Sequence, residues 1–250
     1  MSKMKKSNKN DDDDIINFYE KMPSKYKPVY HNPSFDKLHI NMPFRLLCIG
    51  GSGSGKTLII VNLIRLMNDT FGNIKICCKN EKEPLYMLLK DKIPPDQLQI
   101  YEGLHKFPRV DDPDEFDPSL QHLVIFDDLC LEKDQSKIED LFIRGRKLCK
   151  GISCIYLTQS YFKSPKVIRI NCGYIILKKL QSKRDLNMIL SEYDLGVDKD
   201  ELCSIYQKVC RDVKDFLFID MECDPKNRFR NKFKTIIHLK NNDEDDYEDV

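Results

Sequence analysis

The sequence predicts an α/β domain built on a mainly parallel β-sheet, and three observations carry that expectation. Short apolar runs alternate with stretches of helical spacing along most of the chain, the pattern of strands joined by crossover helices. The runs are near-continuous rather than alternating, as strands covered on both faces require. The first run leads directly into a glycine-rich loop and then a helical stretch.

Taken in order, residues 44–49 form the first strand, and residues 56–67 follow with apolar residues at Ile59, Ile60, Leu63, Ile64 and Met67, one face of a helix. Residues 74–78 are the second strand and 83–90 a helix. An acidic, proline-broken loop occupies 111–118. The third strand, 122–126, ends in Asp127-Asp128; 136–148 suits an amphipathic helix, and 152–157 is the fourth strand. A short helix over 164–170 precedes the fifth strand, 173–177. Beyond it, 184–192 and 200–210 read as helices, and 215–221 and 232–239 as two strands forming a C-terminal β-hairpin.

The 250 residues, 41% hydrophobic and 32% charged, have a net charge of +1. Length permits one α/β domain with a buried core. Near-neutrality gives no global basic field, so a polyanion would have to meet a local patch. No apolar run approaches the ~18 residues of a membrane span, and no secretory leader is expected. Of ten cysteines, Cys77 and Cys78 are adjacent and no Cys-x-x-Cys pair occurs. Zinc is therefore not expected, and reduced thiols in a cytosol-like compartment are. The expected organisation is an N-terminal tail and arm (1–40), one nucleotide-binding domain (41–240) and an acidic C-terminal tail (241–250).

Residues Gly50, Gly51, Ser52, Gly53, Ser54, Gly55, Lys56 and Thr57 spell GGSGSGKT between a strand and a helix. This is a P-loop: glycines turn backbone N–H groups towards phosphate oxygens, and the helix N-terminus adds its dipole. Lys56 is expected on the β- and γ-phosphates and Thr57 on Mg²⁺. A chance glycine-rich turn would not need a strand before it and a helix after it. At the third strand end, Asp127 is the expected metal-side carboxylate and Asp128 the base that polarises water. Acidic turn residues end many strands, and that is the competing role; the upstream P-loop favours function for these two. Gln159, ending the fourth strand, is placed to sense the γ-phosphate, since an amide both donates and accepts. Arginines reaching a neighbour's γ-phosphate are ranked Arg146, Arg169, Arg144, with solvated surface charge as the competing role for each. The alternating Arg228, Arg230, Lys232 and Lys234 would share one strand face, available to nucleic-acid phosphates or serving as a charged edge that discourages aggregation.

Together these sites carry a resemblance. P-loop strand, Asp-Asp strand and Gln-ending strand is the order of the additional-strand P-loop ATPases of the FtsK–HerA group. The stretch RGRKLCKGISCIYLTQSYFKSPKVIRIN (144–171) is similar to the poxvirus-type genome-packaging ATPases of large eukaryotic DNA viruses and virophages. RNKF (230–233) resembles a basic-aromatic segment near that family's last strand. Where that family has Arg-His, this chain has Arg146-Lys147, which leaves the arginine's assignment open. The resemblance implies a RecA/FtsK-like sheet in the order 5-1-4-3-2 and nucleotide sites between subunits of a homo-oligomeric ring. It further implies an ATP- and Mg²⁺-dependent motor that drives double-stranded DNA into a preformed capsid, with capsid or portal-vertex proteins as partners. Its place would be the host cytoplasm, at the virus factory, and the virion.

Three rivals stand beside it. A GTPase would carry an Asn-Lys-x-Asp segment at a strand end, and none of the expected strands here ends in one. A small-molecule kinase would need an arginine-rich lid after the P-loop helix. A nucleotide-binding assembly or scaffold factor without motor activity would bind ATP and not turn it over in response to DNA.

Overall fold

The computed structural model describes residues 16–180, 182–193 and 195–238; the two charged tails expected from the sequence lie outside them. The elements in chain order are α1 (Phe18–Lys21), α2 (Phe35–Leu38), β1 (Arg45–Ile49), α3 (Lys56–Leu66), β2 (Asn73–Cys78), α4 (Pro84–Lys92), β3 (Leu98–Glu102), β4 (His122–Asp127) and α5 (Ser136–Arg144). They continue with β5 (Ile152–Thr158), α6 (Lys166–Asn171), β6 (Tyr174–Leu177), α7 (Lys183–Glu192), α8 (Lys199–Val209), β7 (Leu217–Asp220), β8 (Phe229–Asn231) and β9 (Thr235–Ile236).

Among the described residues nine strands form one sheet in the order β3-β2-β4-β5-β1-β6-β7-β8-β9. The run β6-β1-β5-β4-β2 is the 5-1-4-3-2 order that the resemblance implies, and all its pairings are parallel. Successive residues of β1 face opposite sides. Leu46 and Cys48 join the layer that holds Ile59, Ile60, Leu63 and Ile64 of α3 and Tyr86 and Leu89 of α4. Leu47 and Ile49 join the layer of α5, α6, α7 and α8. Each fully buried aliphatic side chain contributes roughly 1.5–3 kcal/mol, so α3 is held by its buried stripe despite β-branched residues that lower helix propensity.

The structure corrects the sequence reading at three places. Strand β3, which extends the sheet beyond β2, was not expected: only Leu98 of its five residues is buried and the rest are half-exposed, so the segment lacks the apolar run of a central strand. The helix expected over 136–148 ends at Arg144 and gives way to a tight 3-10 turn, Gly145–Lys147. The C-terminal hairpin exists, but its second strand is β8 and not 232–239. Phe229 and Arg230 are buried on β8, Lys232 adopts a left-handed φ of 60° that turns the chain, and β9 then pairs with β8 as a third antiparallel strand.

The arm before β1 contains short helical turns and buries Leu38 and Ile40. The Gln121 side chain fastens it, accepting from the His31 amide (2.5 Å) and donating to the carbonyls of His31 and Thr70 (2.9 Å each).

Candidate nucleotide site

The C-terminal ends of β1, β4, β5 and β6 lie at one edge of the sheet, where open α/β sheets place their ligands. The loop after β1 is pinned between its neighbours: Gly50 N–H donates to the Thr158 carbonyl (3.1 Å) and Gly51 N–H to that of Lys179 (3.2 Å). A Cβ on Gly50 would lie 2.5 Å from both the Lys178 Cβ and the Ser54 Oγ. Gly55 has φ +86° and backs onto the Val213 carbonyl at 2.6 Å from an ideal Cβ, so both the backbone conformation and the space exclude a side chain.

What this loop presents fits a phosphate. Gly55 stands at the N-cap of α3 and no side chain caps the helix, leaving first-turn amides whose partners must come from elsewhere. Ser54 Oγ is buried with no hydrogen-bond partner among the described residues. The buried Lys56 ammonium donates to the carbonyls of Gly50 (2.9 Å) and Gly51 (3.2 Å).

Facing this loop across one cleft are Asp127, Asp128 and Gln159, with Ser52–Thr57 on the other wall. Asp127 ends β4. Burial pushes its carboxyl above the ordinary range, against the hydrogen bond from Tyr86 and the Lys56 ammonium, which pull it down. The Tyr86 hydroxyl donates to Asp127 Oδ2 at 2.6 Å, and burial first, then the Asp127 charge, pushes this phenol up. Asp128 takes φ 57°, which aims it differently from its neighbour. Its Oδ2 accepts from Gln159 Nε2 (2.9 Å) and lies 4.0 Å from Lys79 Nζ.

The P-loop, Asp127, Asp128 and Gln159 are therefore brought together. The arginines are not. Arg146 sits before β5, at the opposite end of the sheet, half-exposed and 3.5 Å from Glu222. Arg169 is buried and bound by its Nε and Nη2 to both oxygens of Glu192 (3.0 and 2.7 Å), so its guanidinium is engaged within the chain. Arg144 pairs with Asp140 one turn back on α5 (2.9 Å). The single basic face expected on the last strands is also corrected. Arg230 is buried against Asp220, and Lys232 pairs with Asp215 at 3.2 Å. Lys178 is internal and donates to the Val213 and Asp215 carbonyls.

Two residues of the site escaped the sequence reading. Glu83 lines the cleft and caps α4, accepting from the Leu85 amide (2.6 Å); Tyr86 orients Asp127. A carboxylate followed by proline after a strand is a helix-start signal, and it could have drawn attention to Glu83. Nothing local marks Tyr86.

The family described as Poxvirus A32 protein matches residues 33–87, the span from the end of the arm through the P-loop to α4. No curated protein matches the sequence. Among solved structures, the genome packaging NTPase B204 from Sulfolobus turreted icosahedral virus 2, in complex with sulfate, is 15% identical. It covers 80% of this chain and 100% of its own, with a TM-score of 0.54. The same NTPase with AMPPCP is 16% identical at 0.54, covering 79% of this chain and 100% of its own. EssC (ATPases 2 and 3) from Geobacillus thermodenitrificans is 10% identical at 0.52, covering 81% of this chain and 41% of its own. The chain thus has the P-loop ATPase fold, and the resemblance read from the sequence has a counterpart in both the family match and the fold.

Proposed function

We propose that this chain is an ATP-hydrolysing DNA translocase that packages viral double-stranded DNA into a preformed capsid. The observation that carries the proposal is a single cleft in which an uncapped P-loop helix faces two consecutive carboxylates and an amide. The poxvirus family match over the P-loop segment and a fold like that of a viral genome packaging NTPase support it.

Each group has a role that follows from where it stands. The α3 amides and Ser54 receive the β-phosphate, and Lys56 exchanges its two loop carbonyls for phosphate oxygens, a stronger charge-assisted pairing. Thr57 and Asp127 would hold Mg²⁺, which supplies neutralisation of charge developing on the phosphates. Tyr86 keeps Asp127 oriented. Asp128, the more open carboxylate, takes the proton from the attacking water. Gln159, bonded to Asp128, reads the γ-phosphate and passes its presence to the chain that follows β5. Arg146 lies too far round the sheet to serve its own cleft, so it can act only on the site of a neighbouring subunit in a homo-oligomeric ring. Such a motor would work with capsid or portal-vertex proteins in the host cytoplasm, at the virus factory, and in the virion.

The test is phosphate release with and without double-stranded DNA, run beside sedimentation in nucleotide. Stimulation by DNA together with an assembled ring is expected. DNA-independent release by a monomer would overturn the motor, and binding without any release would leave a nucleotide-dependent assembly factor. Asp128→Asn should bind ATP and not turn it over; normal turnover would remove Asp128 as the base.

A further inference from the structure

The charges of this near-neutral chain are segregated. Between Asp140 and Asp185 no acidic residue occurs, while the same stretch carries 11 lysines and arginines. The fold divides these cations. Arg169 and Lys178 are consumed internally, and Arg144, Arg146, Lys147 and Lys150 lie before β5, at the end of the sheet away from the cleft. The rest gather at the cleft end, on the loop after β5, the start of α6, the end of β6 and the first turn of α7.

Here Lys163, Lys166, Lys179, Lys183 and Arg184 are exposed, and Phe162, beside Lys163 in the chain, is itself 50% exposed. The Arg184 guanidinium stacks on the Phe162 ring at 3.9 Å, which fixes the orientation of its charge while leaving it in solvent. The nearest acid in sequence, Asp185, is turned inward: its Oδ1 accepts from Ser160 Oγ and from the Phe162 amide, each at 3.1 Å. That carboxylate therefore ties the α7 turn to the β5 loop and does not neutralise the surface. Phe162 lies three residues after Gln159, so the patch and the cleft share one short, braced segment.

We infer that Phe162, Lys163, Lys183 and Arg184 form a contact surface for the phosphodiester backbone of duplex DNA, mechanically continuous with Gln159. Cations that make no ion pair among the described residues, one of them stacked on an aromatic ring, suit a sequence-independent polyanion, because phosphate contacts carry affinity without base readout. This deepens the translocase reading and rests on it for the choice of DNA, but its measurement needs no turnover.

The experiment is fluorescence anisotropy of a labelled 30-base-pair duplex with the full chain over a range of salt concentrations. Each lost phosphate contact lowers the slope of log K against log salt by about 0.9. Lys183→Ala/Arg184→Ala should reduce the slope by about 2 and weaken binding roughly 10-fold or more at moderate salt. Lys147→Ala/Lys150→Ala, exposed cations of the same stretch at the other end of the sheet, should leave it unchanged. An unaltered slope in the first variant, equal losses in both, or no duplex binding by the wild type would overturn the assignment. Intact DNA affinity with lost self-association would give the patch to a neighbouring subunit instead. Lys56→Ala should bind the duplex like wild type; were the wild type to bind the duplex but release no phosphate from ATP, the enzymatic reading would fall while the patch stood.

Discussion

Strand β1 has a buried cation at each end, and the two are used in opposite ways. Arg45, at its start, is fully buried and donates to the carbonyls of Phe44, Leu141, Phe142 and Ile152 at 2.6–3.2 Å. Leu141 and Phe142 are in the last turn of α5, whose dipole favours positive charge, and Arg45 adds a donor there to the Gly145 amide that already reaches the Leu141 carbonyl. Lys56, just beyond the other end, also touches only carbonyls, but they belong to the loop proposed to receive the phosphates. One cation completes the packing of another element; the other is held ready within a site. Similar burial and similar partners do not distinguish structure from function, whereas the identity of the element that owns those carbonyls does.

Replacing both cations is the sharpest way to break the comparison. Arg45→Ala should cost about 3–5 kcal/mol of folding stability, since it empties a buried site and takes a charged donor from the carbonyls of Phe142 and Ile152, read by urea denaturation. Lys56→Ala should leave the denaturation midpoint close to wild type and lower ATP turnover by about 10³-fold or more. If both variants unfolded equally, the distinction between the two ends of β1 would be lost.

Asp127 sharpens the comparison further. Burial holds its folded-state carboxyl above the ordinary value, so the unfolded chain ionises first. The resulting cost to the fold is absent below about pH 4, grows as pH rises and is constant above the folded value. Asp127→Asn should therefore melt higher than wild type at pH 7 in metal-free buffer, with the gain vanishing towards pH 4. Its turnover should fall about 10²–10³-fold, a gain in stability bought with activity. A lower melting temperature at pH 7 would refute the sign. Tyr86→Phe removes only the hydroxyl that orients this carboxylate. It should raise the Mg²⁺ concentration for half-maximal turnover about 10-fold with a smaller change at saturating metal. Smallest of all, Arg144→Ala removes an exposed pair on α5 and should shift stability by less than about 0.5 kcal/mol.

The sequence reading reached the parts whose physics is local. That Ser52–Thr57, Asp127, Asp128 and Gln159 would meet in one cleft was legible because each stands at a strand end that its own residues define. It failed where a residue's role depends on a remote partner. Arg169 and Arg230 look like available charges in sequence, yet Glu192 and Asp220 claim them. Tyr86 looks like an ordinary core aromatic, and only the approach of α4 to β4 gives its hydroxyl a task. Strand β3 was missed because an edge strand does not need an apolar run on both faces.

By itself the sequence determined the α/β class, the phosphate loop and the carboxylates that accompany it, because periodicity, glycine placement and strand ends are properties of short segments. Tertiary structure alone decided which cations remain on the surface, which carboxylate is buried and which is open, and how Phe162 and Arg184 come together. Those outcomes depend on desolvation and pairing between segments far apart in the chain, and no local pattern encodes them.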